Sequence, residues 1–391
     1  MATNKKSSPI DIYNTVDAET LEKIIDVQFK SLIKHPEIAD TLAPLMIWGS
    51  PGCGKSSVVR EYCKANGLDF IDARLAQMEP ADLRGLPVAN REKQCMDWYV
   101  NGTWPRDPNG KGIIFLDELS AASRDIQVAA YELVLDRRLG KLYHVPNGYM
   151  IVAAGNLVTD RAVATTMSSA LANRFTHVEL KEDATSWVTW ARKHDIHPAV
   201  CGFIQYKPSM MFNMEGENLT RGWPTPRSWE RVSQLCENFK NEDENVLRTM
   251  VYGTVGNGAG VEFMEFFKIN AEFDNVLEYM INPDKDTKKL IESVEGKLDR
   301  KYALVSAMLY LLWKGKNATD QAARVDGFMR IVKELSSDFA SMAMIGAMEG
   351  KTPAEKTTHC SVLFKNAGFK IFQKNHGAAL RKRLDVSKFA A

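Results

Sequence analysis

No apolar run in this chain reaches the roughly 18 residues that a membrane-spanning helix needs, and no apolar segment of signal-peptide length follows Met1-Ala2-Thr3-Asn4-Lys5-Lys6. A spanning role is therefore not expected; the reading is a soluble cytoplasmic chain with no membrane partner. The six cysteines, at positions 53, 63, 95, 201, 236 and 360, form no C-x-x-C pair and no metal-like spacing, which suits reduced thiols. Charge of one sign is missing too: 50 Lys plus Arg stand against 49 Asp plus Glu, so a net charge of +1 sets up no global field for nucleic acid. There is no internal repeat and no low-complexity tract. What remains is 391 residues of ordinary globular composition, 45% hydrophobic and 25% charged, with length for two or three domains.

The most informative stretch is Gly49-Ser50-Pro51-Gly52-Cys53-Gly54-Lys55-Ser56. A Gly, four free positions and Gly-Lys-Ser is the spacing of a phosphate-binding loop. Leu45-Met46-Ile47-Trp48 before it reads as a buried strand, and Ser56-Ser57 through Tyr62 after it as the start of a helix. The glycines thus fall in a strand-to-helix turn, where small residues let the backbone wrap a phosphate chain and the helix N-terminus aims N–H groups at it. Lys55 adds a mobile cation and Ser56 a magnesium ligand. Cys53 reads as a small filler of the loop.

A strand at Leu68 to Ala73 completes a strand–helix–strand unit, which implies a parallel sheet. Gly112-Ile113-Ile114-Phe115-Leu116-Asp117-Glu118 is then an apolar run closing on two carboxylates, the pattern of a central strand opening at a ligand crevice. Asp117 is expected to hold magnesium and Glu118 to polarise the water that attacks a γ-phosphate. A helix is expected from Arg124 to Arg138, then a hairpin from Leu139 to Gly148. The strand Tyr149 to Ala154 delivers Asn156, placed to hydrogen-bond the γ-phosphate or the water, although a lone Asn is otherwise a turn former. Ser168 to Phe175 reads as a short helix entering a strand that ends at Leu180, and Arg174 there is a candidate arginine finger for a neighbouring subunit. Arg137, Arg138, Arg161 and Arg221 are weaker candidates for the same role.

In this order the motifs resemble the AAA+ ATPases and, among them, the MoxR-like branch. The resemblance is carried by the phosphate loop; Met78-Glu79-Pro80-Ala81-Asp82-Leu83-Arg84-Gly85; Gly112 to Leu119; Leu135-Asp136-Arg137-Arg138-Leu139-Gly140; Ala153-Ala154-Gly155-Asn156; Leu171-Ala172-Asn173-Arg174-Phe175; and Pro224-Thr225-Pro226-Arg227-Ser228-Trp229. It implies an α/β P-loop NTPase core, a parallel sheet flanked by helices, followed by an all-α lid and a C-terminal helical region. It implies ATP and Mg2+ as cofactors, with Gly49, Ser50, Pro51, Gly52, Cys53, Gly54, Lys55, Ser56 and Ser57 around the phosphates and Ser56 and Asp117 on the metal. Glu118, Asn156 as sensor 1, Arg174 as finger and Arg227 as sensor 2 are the implied catalytic set. Ring assembly, commonly hexameric, follows because the finger acts in trans.

The inserts near 79–107 and 139–149 look like the branch's helix 2 and pre-sensor 1 inserts, and Trp98 and Trp104 in the first either anchor a loop or meet a partner. After Lys181-Glu182-Asp183 the composition turns helical and Met-rich. The expected division is 1–183 for the nucleotide-binding domain, 184–275 for a lid interrupted from Gly253 to Gly260, and 276–391 for a helical extension. The basic residues Lys370, Lys374, Arg381, Lys382, Arg383 and Lys388 read as a solvated helix face, and His359-Cys360 as structural. The function that follows is a chaperone-like ATPase acting on a protein partner, in this branch often a von Willebrand factor A domain protein. The alternatives are a nucleotide-dependent scaffold with little turnover and a nucleic-acid-stimulated ring motor; the neutral charge argues against the latter.

Overall fold

A computed structural model describes residues 15–141, 143–157, 167–214, 221–238 and 243–389. Arg161 and the polar stretch before residue 11 lie outside them. The chain divides into two compact units, Met1–Glu182 and Asp183–Ala391.

In the first unit β1 (Thr15–Val16) leads into α1 (Ala18–Lys34), whose first turn is capped by the Asp17 carboxylate accepting from the Thr20 amide at 2.8 Å. Then come β2 (Leu45–Trp48), α2 (Lys55–Asn66), β3 (Asp69–Arg74), α3 (Pro80–Arg84) and the hairpin β4 (Leu86–Asn90) with β5 (Cys95–Tyr99). After it follow β6 (Gly112–Asp117), α4 (Arg124–Asp136), the short hairpin β7 (Arg138–Leu139) with β8 (Tyr143–His144), β9 (Tyr149–Gly155), α5 (Ser169–Ala172) and β10 (Thr176–Leu180). Six strands form one sheet in the order β1-β10-β2-β9-β6-β3, every pairing parallel.

Alternate side chains of the central strands feed two different cores, because successive residues of a strand point to opposite faces. Met46, Ile114, Leu116, Ile151 and Ala153 enter one core with Leu133 of α4; Leu45, Ile47, Ile113, Phe115, Met150 and Val152 enter the other with Ile25 of α1 and Val59 of α2. A sheet covered on both faces needs the unbroken apolar runs read in the sequence. The expected α/β P-loop NTPase core is thus observed.

Helix α4 ends at Asp136 rather than at Arg138, since Arg137 adopts a left-handed φ of 50°. The buried Arg137 guanidinium donates to the carbonyls of Pro146 at 3.0 Å and Tyr149 at 2.8 Å, so it staples the β7–β8 hairpin to β9. In the first insert the two tryptophans part company: Trp104 is buried, whereas Trp98 on β5 is exposed.

All twelve elements described in the second unit beyond its 3-10 turn are α-helices: α6 (Ala184–Lys193), α7 (Pro198–Tyr206), α8 (Pro226–Asn238), α9 (Glu244–Val255), α10 (Asn257–Ala271), α11 (Val276–Ile281), α12 (Thr287–Val294), α13 (Leu298–Leu312), α14 (Ala318–Val332), α15 (Ser337–Met348), α16 (Pro353–Lys365) and α17 (Ala367–Phe389). The interruption expected from Gly253 to Gly260 shrinks to Gly256 alone, at φ 80°, between α9 and α10. One core takes side chains from both sides of residue 275, from Phe263 to Phe328 and Phe372. No helix among the described residues is long and apolar enough to cross a membrane.

The division of labour between core and surface predicts a contrast. Ile114→Ala empties a fully buried position and is expected to cost about 2–5 kcal/mol in urea unfolding of the chain. Val88→Ala on the exposed β4 is expected to cost within about 0.5 kcal/mol. Equal costs at both positions contradict this account of the core.

Candidate nucleotide site

Strand β2 stops at Trp48 because the chain must turn sharply: Gly49, Gly52 and Gly54 take φ values of 155°, 83° and 106°. Gly49 also runs so close to β10 that a Cβ there would lie 2.8 Å from the Leu180 carbonyl and 3.0 Å from Cys53 Sγ. Gly54 is the N-cap of α2, and no side chain caps that helix end. A helix N-terminus left uncapped by side chains, with Ser56 and Ser57 in its first turn, is a ready site for phosphate oxygens.

Lys55 is buried at 9% exposure, and its ammonium donates to Gly49 O at 2.7 Å, Ser50 O at 3.0 Å and Asn156 Oδ1 at 3.0 Å. Three donors meet three acceptors. Since an ammonium cannot accept, Asn156 turns its Oδ1 to Lys55, which leaves its Nδ2 hydrogens to donate elsewhere. The loop, the lysine and the asparagine are therefore one hydrogen-bonded unit.

Asp117 is the last residue of β6, and Glu118 follows it in a left-handed conformation with φ 58°. For a residue with a Cβ this costs on the order of 1–3 kcal/mol, the kind of strain that clusters at functional sites. The turn is held from several sides. The Glu118 amide donates to Asp117 Oδ1 at 2.9 Å, and the Leu119 amide donates to the Ala154 carbonyl at 2.9 Å. The buried Gln127 side chain donates to the carbonyls of Leu119 at 3.3 Å and Ala122 at 3.2 Å. Burial pushes the Asp117 carboxyl above the usual range, against the pull of the Glu118 amide and the Lys55 ammonium. A partly desolvated carboxyl is a hard-oxygen donor that suits Mg2+, as the Ser56 hydroxyl also is, and a cation there would favour the ionised form.

Ser120 was not singled out by the sequence, yet it joins the two strand ends. Its hydroxyl accepts from the Asn156 amide at 3.0 Å and donates to the Asn156 carbonyl at 3.3 Å. A Cβ on Gly155 would come within 2.9 Å of that hydroxyl and 2.7 Å of Met46 Cε, so glycine at 155 lets the turn and β9 meet. Gln127 and Ser120 are polar residues in an apolar setting, the one signal that marks them in the sequence.

The structure brings Lys55, Asp117, Glu118 and Asn156 together at the C-terminal ends of β2, β6 and β9 and leaves Arg174 elsewhere. Arg174 precedes β10, whose first residue pairs with Leu45 at the start of β2. It stands at the opposite edge of the sheet, on the order of 10 Å from the loop along a four-residue strand. There it lines a cavity of about 170 Å³ with Asp40, Pro44, Arg137 and Ile151. Arg138 is paired with Glu132 and Asp136. In the second unit Arg221 is exposed, and Arg227 is exposed in the first turn of α8, behind a cap in which Thr225 and Ser228 exchange side-chain and backbone hydrogen bonds.

Residues 44–175 match the family described as AAA domain (dynein-related subfamily). This stretch is therefore similar to an AAA domain. Over 120 residues the chain is 28% identical to the denitrification regulatory protein NirQ of Pseudomonas aeruginosa, a match covering 29% of this chain and 45% of that protein. The chain thus spans less than half the length of that relative. Among solved structures, a RuvB variant from Thermotoga maritima is 14% identical with a TM-score of 0.36, covering 77% of this chain and 89% of that one. NtrX of Brucella abortus in complex with ADP is 14% identical with a TM-score of 0.35, covering 88% and 72%.

Removing the Lys55 ammonium takes away the one buried cation of the loop. Lys55→Ala is expected to weaken binding of a fluorescent ATP analogue at least about tenfold, the scale of one charge-assisted contact. Titration of the folded variant checks this; unchanged affinity contradicts the assignment of the loop.

Proposed function

We propose that the protein is an ATP-hydrolysing AAA+ ring ATPase of MoxR-like type that remodels a protein partner. The observation that carries the reading is the convergence of Lys55, Asn156, Asp117 and Glu118 at one edge of a parallel sheet, beside an N-terminal helix end without a side-chain cap.

The chemistry follows from those positions. The loop from Gly49 to Ser57 wraps the phosphates of ATP, and Lys55 exchanges its contacts to Gly49 and Ser50 carbonyls for phosphate oxygens. Ser56 and Asp117 are the residues that would hold Mg2+, which neutralises phosphate charge when bound. Glu118 accepts a proton from a water whose oxygen attacks the γ-phosphorus as the bond to the β-phosphate oxygen breaks. The Asn156 side-chain amide, anchored through its oxygen by Lys55, donates to the γ-phosphate or to that water. Arg174 completes the site of a neighbouring copy, since it stands at the far edge of its own sheet, and this makes the enzyme a homo-oligomeric ring, read as a hexamer. Arg227 enters as sensor 2 on its motif alone.

The partner reading rests on the β4–β5 hairpin. It is a two-stranded ribbon with Leu86, Val88, Met96, Trp98 and Tyr99 all exposed, and such a ribbon has little stability of its own in water. That surface favours a protein client, with a von Willebrand factor A domain protein the candidate drawn from the MoxR-like resemblance.

Glu118→Gln tests the mechanism. The variant is expected to lose hydrolysis by at least about a hundredfold while binding ATP as the wild type does, because only the proton acceptor is removed. Phosphate release and equilibrium binding measure the two properties separately. Undiminished turnover removes Glu118 from its role.

A further inference from the structure

Trp48 is the residue immediately before Gly49, and its side chain runs back from the phosphate loop over the core that contains Phe175. Its indole Nε1–H donates to Nδ1 of His177 at 2.8 Å. The two rings are only 10° from parallel with centroids 6.1 Å apart, so this hydrogen bond lies close to the plane of both. The Nε2 atom of His177 in turn donates to the Ala172 carbonyl at 2.8 Å. An indole can only donate and a carbonyl can only accept, so the imidazole tautomer is fixed with its proton on Nε2.

Ala172 is the last residue of α5, and Arg174 follows two positions later. The Arg174 guanidinium lies over the Tyr131 ring, 4.1 Å from its centroid, and donates to the Ala170 carbonyl on the same short helix. Two rings therefore link the sheet edge that carries the phosphate loop to the end of the short helix just before the arginine. Trp48 also packs close to Gly155, the residue before Asn156: a Cβ there would lie 3.0 Å from its ring.

We propose that His177 is a positioning residue that couples the phosphate loop of one copy to the Arg174 it presents to the next. The inference rests on the trans role of Arg174 given above. A shift of Trp48 when phosphates fill the loop moves an in-plane hydrogen bond, and through His177 it moves the carbonyl end of α5. The guanidinium then exchanges its resting place on Tyr131 for the neighbour's site.

The test uses the full-length chain and trans complementation. His177→Phe keeps a ring of similar shape and removes both hydrogen bonds; Trp48→Phe removes the donor at the other end; His177→Gln keeps one donor and one acceptor. His177→Phe is expected to lower ATP hydrolysis about tenfold, a fraction of what an arginine finger contributes, with binding of an ATP analogue within about twofold of wild type. His177→Gln is expected to retain most of the rate. Mixed in equal amounts with Glu118→Gln copies, which bind ATP and offer an intact Arg174, the His177→Phe copies are expected to regain hydrolysis several-fold above the sum of the two variants assayed alone. Arg174→Ala mixed with Glu118→Gln serves as the reference. Recovery with Arg174→Ala and none with His177→Phe overturns the coupling and leaves the trans site standing. No recovery with Arg174→Ala overturns the trans reading and the coupling with it. Should His177→Phe fail to fold, Trp48→Phe is mixed in its place with the same two outcomes.

Discussion

In a parallel sheet every strand ends at the same edge, and this constraint decides which residues of the chain can work together. β2 lies between β9 and β10, with β6 beyond β9, so the loop after β2, the carboxylates after β6 and the asparagine after β9 are brought side by side although about 100 residues separate the first from the last. The same register sends Arg174, which precedes its strand instead of following one, to the opposite edge. A residue's place before or after a strand thus determines which edge of the sheet it occupies.

The edge that gathers the site is held at some energetic cost. Glu118 sits at positive φ, and Asp117 is desolvated enough to push its carboxyl upward. The offsetting interactions are backbone and side-chain hydrogen bonds from Ser120, Gln127 and Leu119, those of Gln127 buried and those of Ser120 partly so. Rigid support of this kind fits groups that have to meet phosphate and water in one geometry. Lys55, by contrast, is satisfied by carbonyls that phosphate oxygens can replace, which makes it the adaptable member of the set.

Much of this was legible in the sequence because the signals are local. The glycine spacing of the loop, the apolar runs of β2, β6 and β9 and the helical content after residue 183 all depend on periodicity or turn chemistry. Helix α4 was read two residues too long because nothing in Leu135-Asp136-Arg137-Arg138 announces a left-handed Arg137, whose conformation is set by carbonyls of Pro146 and Tyr149 that come later in the chain. The glycines between 253 and 260 looked like a long break, yet Gly253, Gly258 and Gly260 are helical and packing overrides their low propensity. Ser120 and the Trp48–His177 pair carried little signal for a related reason. Their partners are distant in sequence, and a single serine or histidine carries no spacing to read.

The central claim is that the catalytic unit is larger than one chain, with the nucleotide held by one copy and the arginine supplied by another. The most direct measurement is the ATP hydrolysis rate per chain as the protein is diluted, followed together with molar mass by light scattering at saturating ATP. The account predicts a specific rate that falls steeply as the assembly dissociates and tracks the assembled fraction. A specific rate that stays constant from the assembled state down to the monomer would contradict it.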